Sequence, residues 1–422
     1  MKEQIIFSKE TGNANNYRIP SLVATTRDTL VACCDERFFT GSDNPNRIDK
    51  VIRISHDNGE TWGEQITAVE ECGKDKEHAS SAVDPAMLYD KDTATLHMIY
   101  SHTPAGVGIL NCARSTGYDK NGNKLYVMGR KKLSLINGEL YYKGKSIGIK
   151  VDENGQLSDG SGCVYDGSAP IREMGTSFLY HTISKDNGET WEKPTCLNLQ
   201  VKNPGWGFIG ACPGNGLKTS KNRLIFPIYY GVNKAPLSLT FATMYSDDGG
   251  LNWKIGKTPK MGGRFPKNNP ILIINSCMLT ETQIIELPDG TLKAFMRNHK
   301  PRRRILISTS TNGGETWSDP VFHDELTHPI CQISAISFVH EGKFYVLTIN
   351  ASSTKKRERG VVRLSEDEGK TFPYSYLLKE GEFVYSSAQY LSDGTIGILY
   401  EDSTQHENIK FTKITIDQIK GV

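Results

Sequence analysis

The sequence predicts an all-β fold, a six-bladed β-propeller, from two sets of short repeats that alternate along its 422 residues. The first set is an octet. Ser55-His56-Asp57-Asn58-Gly59-Glu60-Thr61-Trp62 and Ser184-Lys185-Asp186-Asn187-Gly188-Glu189-Thr190-Trp191 match almost letter for letter. Looser copies carry Ser246, Asp248, Gly250 and Trp253, then Ser310, Asn312, Gly314 and Trp317, then Ser365, Asp367, Gly369, Thr371 and Phe372. The second set is a polar turn leading into a short apolar run. It occurs at Arg27-Asp28-Thr29-Leu30, Lys91-Asp92-Thr93, Lys221-Asn222-Arg223-Leu224, Asp289-Gly290-Thr291-Leu292, Glu341-Gly342-Lys343-Phe344 and Asp393-Gly394-Thr395-Ile396. Six turns and five octets define six units of about four strands, the last without an octet.

The octet has a physical reason to recur. Its Ser and Asp side chains can bond backbone N–H groups a few residues on, and its Gly tolerates positive φ, so the segment is a self-satisfied turn between two outer strands. The following Trp is a large apolar wedge that can pin the turn to a neighbouring sheet. A repeated, near-identical turn reads as scaffold rather than as a set of catalytic or metal-binding carboxylates.

In chain order, Ile5 to Phe7 form a first strand, which together with a C-terminal strand from Ile409 to Ile416 is a candidate to close the last blade. Unit one runs to about Gln65 and unit two begins near Ser80. The second unit is longer than the rest by about 65 to 70 residues. Residues 116–176 supply that excess as a β-rich insertion, with short strands at Lys124 to Met128, Leu140 to Tyr142 and Ser146 to Val151. Its turns are Asn121-Gly122, Asn137-Gly138 and Asn154-Gly155. Units three to five follow and unit six ends near Glu401, so the whole of 1–422 reads as one catalytic propeller domain.

Composition excludes several classes. Lys+Arg is 50 against Asp+Glu 48, a balance that implies no nucleic-acid partner. No stretch reads as a membrane span, and Met1 to Phe7 enters a strand rather than a signal peptide. The nine cysteines include adjacent Cys33 and Cys34 but no C-x-x-C, and no His/Cys spacing marks a zinc site, so neither metal nor cofactor is expected. A cytoplasmic protein with reduced thiols, or the core of a secreted enzyme without its export signal, fits these features. A monomer is expected.

The six turns also serve as a ruler. Residues about eight positions from a turn lie about 25 Å away, at the opposite end of the innermost strands. Before the turns these are Arg18, Asp84, Gly214, Glu281, Gln332 to Ala335 and Tyr385; after them come Arg37, Arg297 and Glu401. Charged and phenolic groups from different blades therefore converge at one mouth of the central channel. Several arginines in one cleft repel one another unless an anion is meant to sit there, and guanidinium makes bidentate, charge-assisted bonds to carboxylate.

Tyr17-Arg18-Ile19-Pro20 resembles the Y/F-R-I-P motif of bacterial exo-α-sialidases (neuraminidases), and the five octets resemble their Asp boxes. The likeness runs from Arg18 to Glu401, and the insertion resembles one in secreted sialidases of Gram-positive bacteria. It implies Arg18 and Arg297 as two members of a carboxylate-binding triad. The third comes from Arg357-Glu358-Arg359-Gly360-Val361-Val362-Arg363, where the family pattern favours Arg357 and Arg359 is the alternate. It further implies Arg37 and Asp84 as substrate contacts, Asp43 as general acid/base with Asp49 as fallback, Tyr385 as nucleophile with Glu281 as its base, and Glu401 as the buttress of Arg18.

These roles make chemical sense together. The substrate, a sialylated glycan, carries a carboxylate on its anomeric carbon, so a neutral tyrosine approaches more readily than a carboxylate nucleophile. Its phenol, with a free pKa of about 10, needs a neighbouring base. The resemblance implies release of terminal sialic acid by a retaining double displacement. The same residues could serve intramolecular attack giving an anhydro-sialic acid, or transfer to another sugar. A sialoglycan-binding propeller without chemistry is the reading from another class, and the presence of every reactive residue argues against it. Trp206 is one aromatic candidate for stacking on the leaving-group side.

Overall fold

The computed structural model of the chain describes residues 2–26, 28–231, 239–260 and 278–422. Arg27, which opens the first polar turn, lies outside the described residues. Among the described residues the architecture is all-β apart from two short helices, Asn198–Val201 and Ile416–Lys420.

Six antiparallel groups of strands follow the repeats. The first comprises Asn16–Ala24, Leu30–Arg37, Ile48–Ser55 and Ile66–Val69; the second comprises Ser81–Asp90, Thr95–Thr103, Phe178–Ser184 and Thr195–Cys196. One parallel pairing, Ile48 with Ser81, joins these two into a continuous sheet. The third group is built on Ile209–Ala211, Leu224–Gly231, Leu239–Ser246 and Lys254–Ile255. The fourth is Leu279–Glu286, Leu292–Asn298, Arg304–Ser310 and Val321–Thr327. The fifth is Ile333–His340, Lys343–Ala351, Glu358–Ser365 and Tyr374–Glu382. The sixth takes Ser386–Tyr390, Ile396–Glu401 and Asn408–Ile414 from the C-terminus and Glu3–Ser8 from the N-terminus. Glu3 pairs with Thr412 and Ser8 with Asn408, so the two ends of the chain share one sheet. The last strand is shorter than the sequence indicates, because Thr415 caps a helical turn by accepting from the Gln418 N–H, and Gly421 ends it at φ 75°.

Each octet lies between the third and fourth strands of its sheet. In the first, the Gly59 N–H donates to Ser55 Oγ at 2.8 Å and the Thr61 N–H to Asp57 Oδ1 at 2.8 Å. The second repeats this with Gly188 to Ser184 at 2.8 Å and Thr190 to Asp186 at 2.9 Å. In the fourth, Asn312 replaces the Asp and still accepts from the Thr316 N–H at 3.0 Å. The aromatic that ends the octet packs on the preceding sheet: Trp62 lies edge-on to Phe411, Trp191 joins the core of the first sheet, and Trp253 meets His181. Trp317 packs on Phe241 and donates to Thr243 Oγ1 at 2.9 Å. The octets thus fasten sheet to sheet in series, and the shared terminal sheet returns the series to its start.

Residues 116–176 include a separate five-stranded sheet, formed by Leu125–Met128, Lys131–Ile136, Glu139–Tyr142, Lys145–Lys150 and Arg172–Glu173. It has its own small core of Tyr126, Leu133, Leu140, Val164 and Ile171. Its strands leave and rejoin the chain between Thr95–Thr103 and Phe178–Ser184. A buried ionic relay ties it down: His102 bonds Glu71 at 2.7 Å and Glu173 at 2.7 Å, and Lys124 bonds Glu173 at 2.5 Å.

Two glycines separate backbone strain from packing. A Cβ on Gly59, at φ 86°, would lie 2.5 Å from the buried Phe411 ring, whereas one on Gly144, at φ 79°, would meet nothing within 4 Å. Gly144→Ala is expected to lower stability by about 1 kcal/mol, and Gly59→Ala by about 2–5 kcal/mol because overpacking adds to the same strain. Chemical denaturation of the two variants checks the difference.

Candidate active site

Three inner strands carry the same irregularity. Ile19 and Pro20 oppose one residue between the pairs Arg18–Asp35 and Ser21–Cys33; Asp84 and Pro85 do the same between Val83–Ser101 and Ala86–Ile99. Thr280 and Glu281 together oppose Arg297. An extra residue of this kind bends the strand and re-aims its side chains. Ile19 and Asp84 both adopt φ 61°, each immediately before a proline. Arg18, Asp84 and Glu281 are thereby presented at one end of the channel.

There the predicted residues meet. The Tyr385 hydroxyl donates to Glu281 Oε1 at 2.5 Å, and Arg297 Nη1 lies 2.8 Å from the same hydroxyl while also bonding Glu281 Oε2. The guanidinium carbons of Arg18 and Arg357 stand 5.5 and 5.7 Å from the centre of the Tyr385 ring. Glu401 accepts from Arg18 Nε at 3.2 Å and from the Ile19 N–H at 2.8 Å. Arg357 has no carboxylate partner among the described residues, and Arg297 leaves its buried Nε unbonded. Two guanidinium groups beside the phenol thus keep donors that have no protein partner among the described residues.

The loop that carries Asp43, the expected acid, is held from behind. Arg37 is fully buried, bonds Asp35 at 2.7 Å and reaches Asp43 at 2.9 Å and the Gly41 carbonyl at 2.8 Å. Asn46 ties the loop to itself, accepting from the Phe39 N–H at 3.1 Å and donating to the carbonyls of Thr40 and Ser42 at 2.7 and 2.9 Å. Asp43 projects from this frame with 71% of its side chain exposed. A cavity of about 390 Å³ opens beside it, walled by Asp43, Asp84, Val83, Ile109, Phe208 and Tyr229. The larger cavity, about 1030 Å³, lies at the other end of the channel among Thr25, Asp92, Lys218, Glu286 and Gln389, away from this chemistry.

The charges set each group's state. Burial pushes the Tyr385 phenol well above its usual range; Arg297 opposes the rise and Glu281 adds to it. Burial, then the carboxylates of Asp43, Asp35 and Glu281, push Asp84 well above its usual range, and Tyr229 bonds it at 3.3 Å. Packing at the rim works to raise Asp43, and the guanidinium charges of Arg37, Arg18 and Arg297 outweigh it, so its carboxyl sits below the usual range. With most of that side chain open to solvent, charge rather than burial decides its state.

Two expectations are corrected. Arg359 does not join the cluster: it is exposed at φ 59°, with its strand register shifting there, and no hydrogen bond or ion pair links it to the site among the described residues. Asp49 does not replace Asp43, because it is buried on Arg47 at 2.8 Å and accepts from the Glu71 N–H at 2.9 Å. Trp206 is half-buried and stacks on Tyr230, with ring centres 3.7 Å apart, against the core of the third sheet. Gly214 and Gln332 are structural: the Gly214 carbonyl accepts from Ser21 Oγ at 2.7 Å, and Gln332 clamps both backbone groups of Ser386, beside Tyr385. Sequence reasoning missed Asp35, Asn46, Lys50, Tyr229 and His406. Of these, only Asp35, which shares an alternating strand with Arg37, carried a signal.

Glu401 yields a test of the arrangement. Burial works to raise its carboxyl, and Arg18 and His406 outweigh that, bringing it down from 4.5 to about 2. A carboxylate depressed on folding stabilises the native state above its unfolded pKa and loses that contribution as pH falls through the folded one. Glu401→Gln is expected to lower stability at neutral pH by about 3 kcal/mol and to flatten the acid limb between pH 4.5 and about 2; urea midpoints measured against pH check both effects.

Comparison with known proteins bears on the family and the fold. Residues 164–398 match the BNR repeat-like domain. The chain is 26% identical over 508 residues to an anhydrosialidase of Macrobdella decora, covering 99% of this chain and 63% of that protein. It is 26% identical over 417 residues to a sialidase of Bacteroides fragilis, covering 95% of this chain and 63% of that one. The chain therefore spans 63% of the length of both curated relatives. Among solved structures, it superposes on the intramolecular trans-sialidase from Ruminococcus gnavus in complex with oseltamivir carboxylate with a TM-score of 0.83, at 24% identity and 98% coverage of each chain. A leech intramolecular trans-sialidase gives 0.85 at 23% identity, covering 100% of this chain and 71% of that one. At those identities the structural likeness is one of fold. No helix among the described residues is long and apolar enough to cross a membrane. The match covers more than half of the chain, which therefore belongs to the BNR repeat-like domain family and has a β-propeller-type fold.

Proposed function

We propose that this chain is an exo-α-sialidase that releases terminal sialic acid from sialylated glycans, built as one six-bladed propeller with residues 116–176 inserted in the second blade. The observation that carries the reading is the Tyr385 hydroxyl, 2.5 Å from Glu281 and 2.8 Å from Arg297, with Arg18 and Arg357 flanking its ring. A phenol paired with a carboxylate beside several cationic groups is a nucleophile awaiting an anionic substrate.

The geometry supports a role for each group in this reading. Arg18, Arg297 and Arg357 grip the sugar carboxylate and fix the anomeric carbon over the phenol. Because Tyr385 is held protonated, Glu281 takes its proton as attack proceeds. Asp43 protonates the departing glycosidic oxygen: the bound carboxylate offsets the guanidinium charge, and closure over the sugar removes solvent, both raising its pKa. Asp84, kept neutral, can donate to a polar substituent of the sugar. Water then attacks the tyrosyl intermediate with Asp43 acting as base, giving net retention. Attack by the sugar's own glycerol arm on the same intermediate gives the anhydro product. That is the second reading, supported by the anhydrosialidase and intramolecular trans-sialidase among the chain's relatives.

Incubation with α2,3- and α2,6-sialyllactose, followed by mass analysis, tests the proposal and separates the readings. Free sialic acid is the expected product, a species lighter by one water marks the anhydro route, and intact substrate defeats both. Tyr385→Phe is expected to abolish most turnover while a sialic acid analogue still binds by calorimetry. Arg357→Gln is expected to raise KM by about 10–100-fold, the effect of losing a charged hydrogen bond, and Arg359→Gln to leave KM near wild type; steady-state kinetics on both variants decides the third arginine.

A further inference from the structure

Behind the acid loop lies a buried charge relay that the proposed reaction does not use directly. Lys50 is fully buried, and its ammonium donates to Asp35 Oδ1 at 2.5 Å and to the Ala82 carbonyl. The other oxygen of Asp35 accepts from Arg37 Nη2 at 2.7 Å and Nε at 3.2 Å. Arg37 in turn meets Asp43. Ala82 stands two residues before Asp84, so the same ammonium bridges the strands that present Asp43 and Asp84.

Asp35 is therefore shared between two cations, and the trio Lys50, Asp35 and Arg37 presents a net single positive charge to Asp43. Without Lys50 the remaining Asp35–Arg37 pair would be neutral. A buried lysine is unfavourable unless paired, and here its pairing leaves Arg37 an uncompensated charge at the acid. The ionisable groups that face Asp43 from other elements are the guanidinium groups of Arg18 and Arg297 and the carboxyl of Asp84. The groups around Lys50 are Asp35 and the buried thiols of Cys33 and Cys34. His406 packs on Gly41 and faces Arg18 and Glu401.

We propose that Lys50 is a positioning residue that, through Asp35, holds Arg37 as a net positive charge against Asp43 and so keeps the general acid ionised until substrate arrives. The inference rests on the sialidase reading, in which Asp43 is the acid. It makes the timing of proton donation depend on a residue that touches neither substrate nor the reacting atoms.

The test compares the pH dependence of kcat/KM for sialyllactose, whose leaving group needs protonation, with that for an aryl sialoside, whose leaving group does not. Lys50→Met, with Lys50→Gln as a second variant, is expected to move the alkaline limb for sialyllactose upward by about half a unit to one unit. Asp35→Asn, which leaves two cations unbalanced, is expected to move it downward. The profile for the aryl sialoside keeps its wild-type shape in each. Opposite shifts from the two neutralisations are something that structural damage does not produce. Equal profiles, shifts of one sign in both variants, or the same shift with both substrates would overturn the role of Lys50. A wild-type protein that turns over neither substrate would instead overturn the sialidase reading.

Discussion

Guanidinium groups crowded at one mouth of the channel must each find a counter-charge, and the site is organised by that need. Arg18 is answered by Glu401, Arg297 by Glu281, and Arg37 by Asp35 and Asp43. Arg357 has no such partner among the described residues and is held by its position against the Tyr385 ring. Paired buried ions contribute little net stability, since desolvation offsets most of their attraction. What the pairing accomplishes is placement: three of the cations are fixed by carboxylates and partly desolvated, and Arg357 is left beside the phenol without one. Tyr385 lies inside this field, so the same arginines that would hold a carboxylate also oppose the rise in the pKa of its phenol.

The scaffold meets this requirement with one repeated backbone device. An extra residue in each of three inner strands turns Arg18, Asp84 and Glu281 toward the channel mouth. In the fourth sheet it sets Glu281 across from Arg297, which makes their ion pair a consequence of strand register. Such a kink holds only if the surrounding sheets are rigid. The octet turns supply that rigidity at the far periphery, where each aromatic wedge locks its turn to the sheet before it. Two ends of every strand thus serve different purposes, one mechanical and one chemical.

The acid loop follows a different logic. It carries Asp43, whose carboxyl is left open to water, and its shape comes from polar side chains rather than a core. Asn46 folds the loop on itself, and Asn44 anchors it to the second group of strands through Ser81 Oγ at 3.1 Å and the Thr103 carbonyl at 3.3 Å. A loop fastened at its base but exposed at Asp43 suits a group that must accept a sugar and then close over it.

Repetition and spacing were legible in the sequence because they are periodic: the octets, the polar turns and the Asn-Gly hairpins are local turn chemistry, written in adjacent letters. The ruler built on those turns also found Arg18, Arg37, Asp84, Glu281, Arg297, Tyr385 and Glu401, since strand length converts position into height along the channel. Two letters separate Arg357 from Arg359, and the family pattern favours the first without excluding the second; with the left-handed kink at Arg359, one side chain lies against the phenol and the other in solvent. Lys50 and Asn46 were equally silent, because a buried ammonium or amide becomes meaningful only when folding brings a distant carboxylate or carbonyl to it. The sequence by itself determined the repeating sheet units and the end of the channel where the arginines, carboxyls and phenol gather, because both depend on neighbours along the chain. Which arginine meets the tyrosine, and which charges stand behind the acid, only the tertiary structure decided, because those contacts join residues that packing alone brings together.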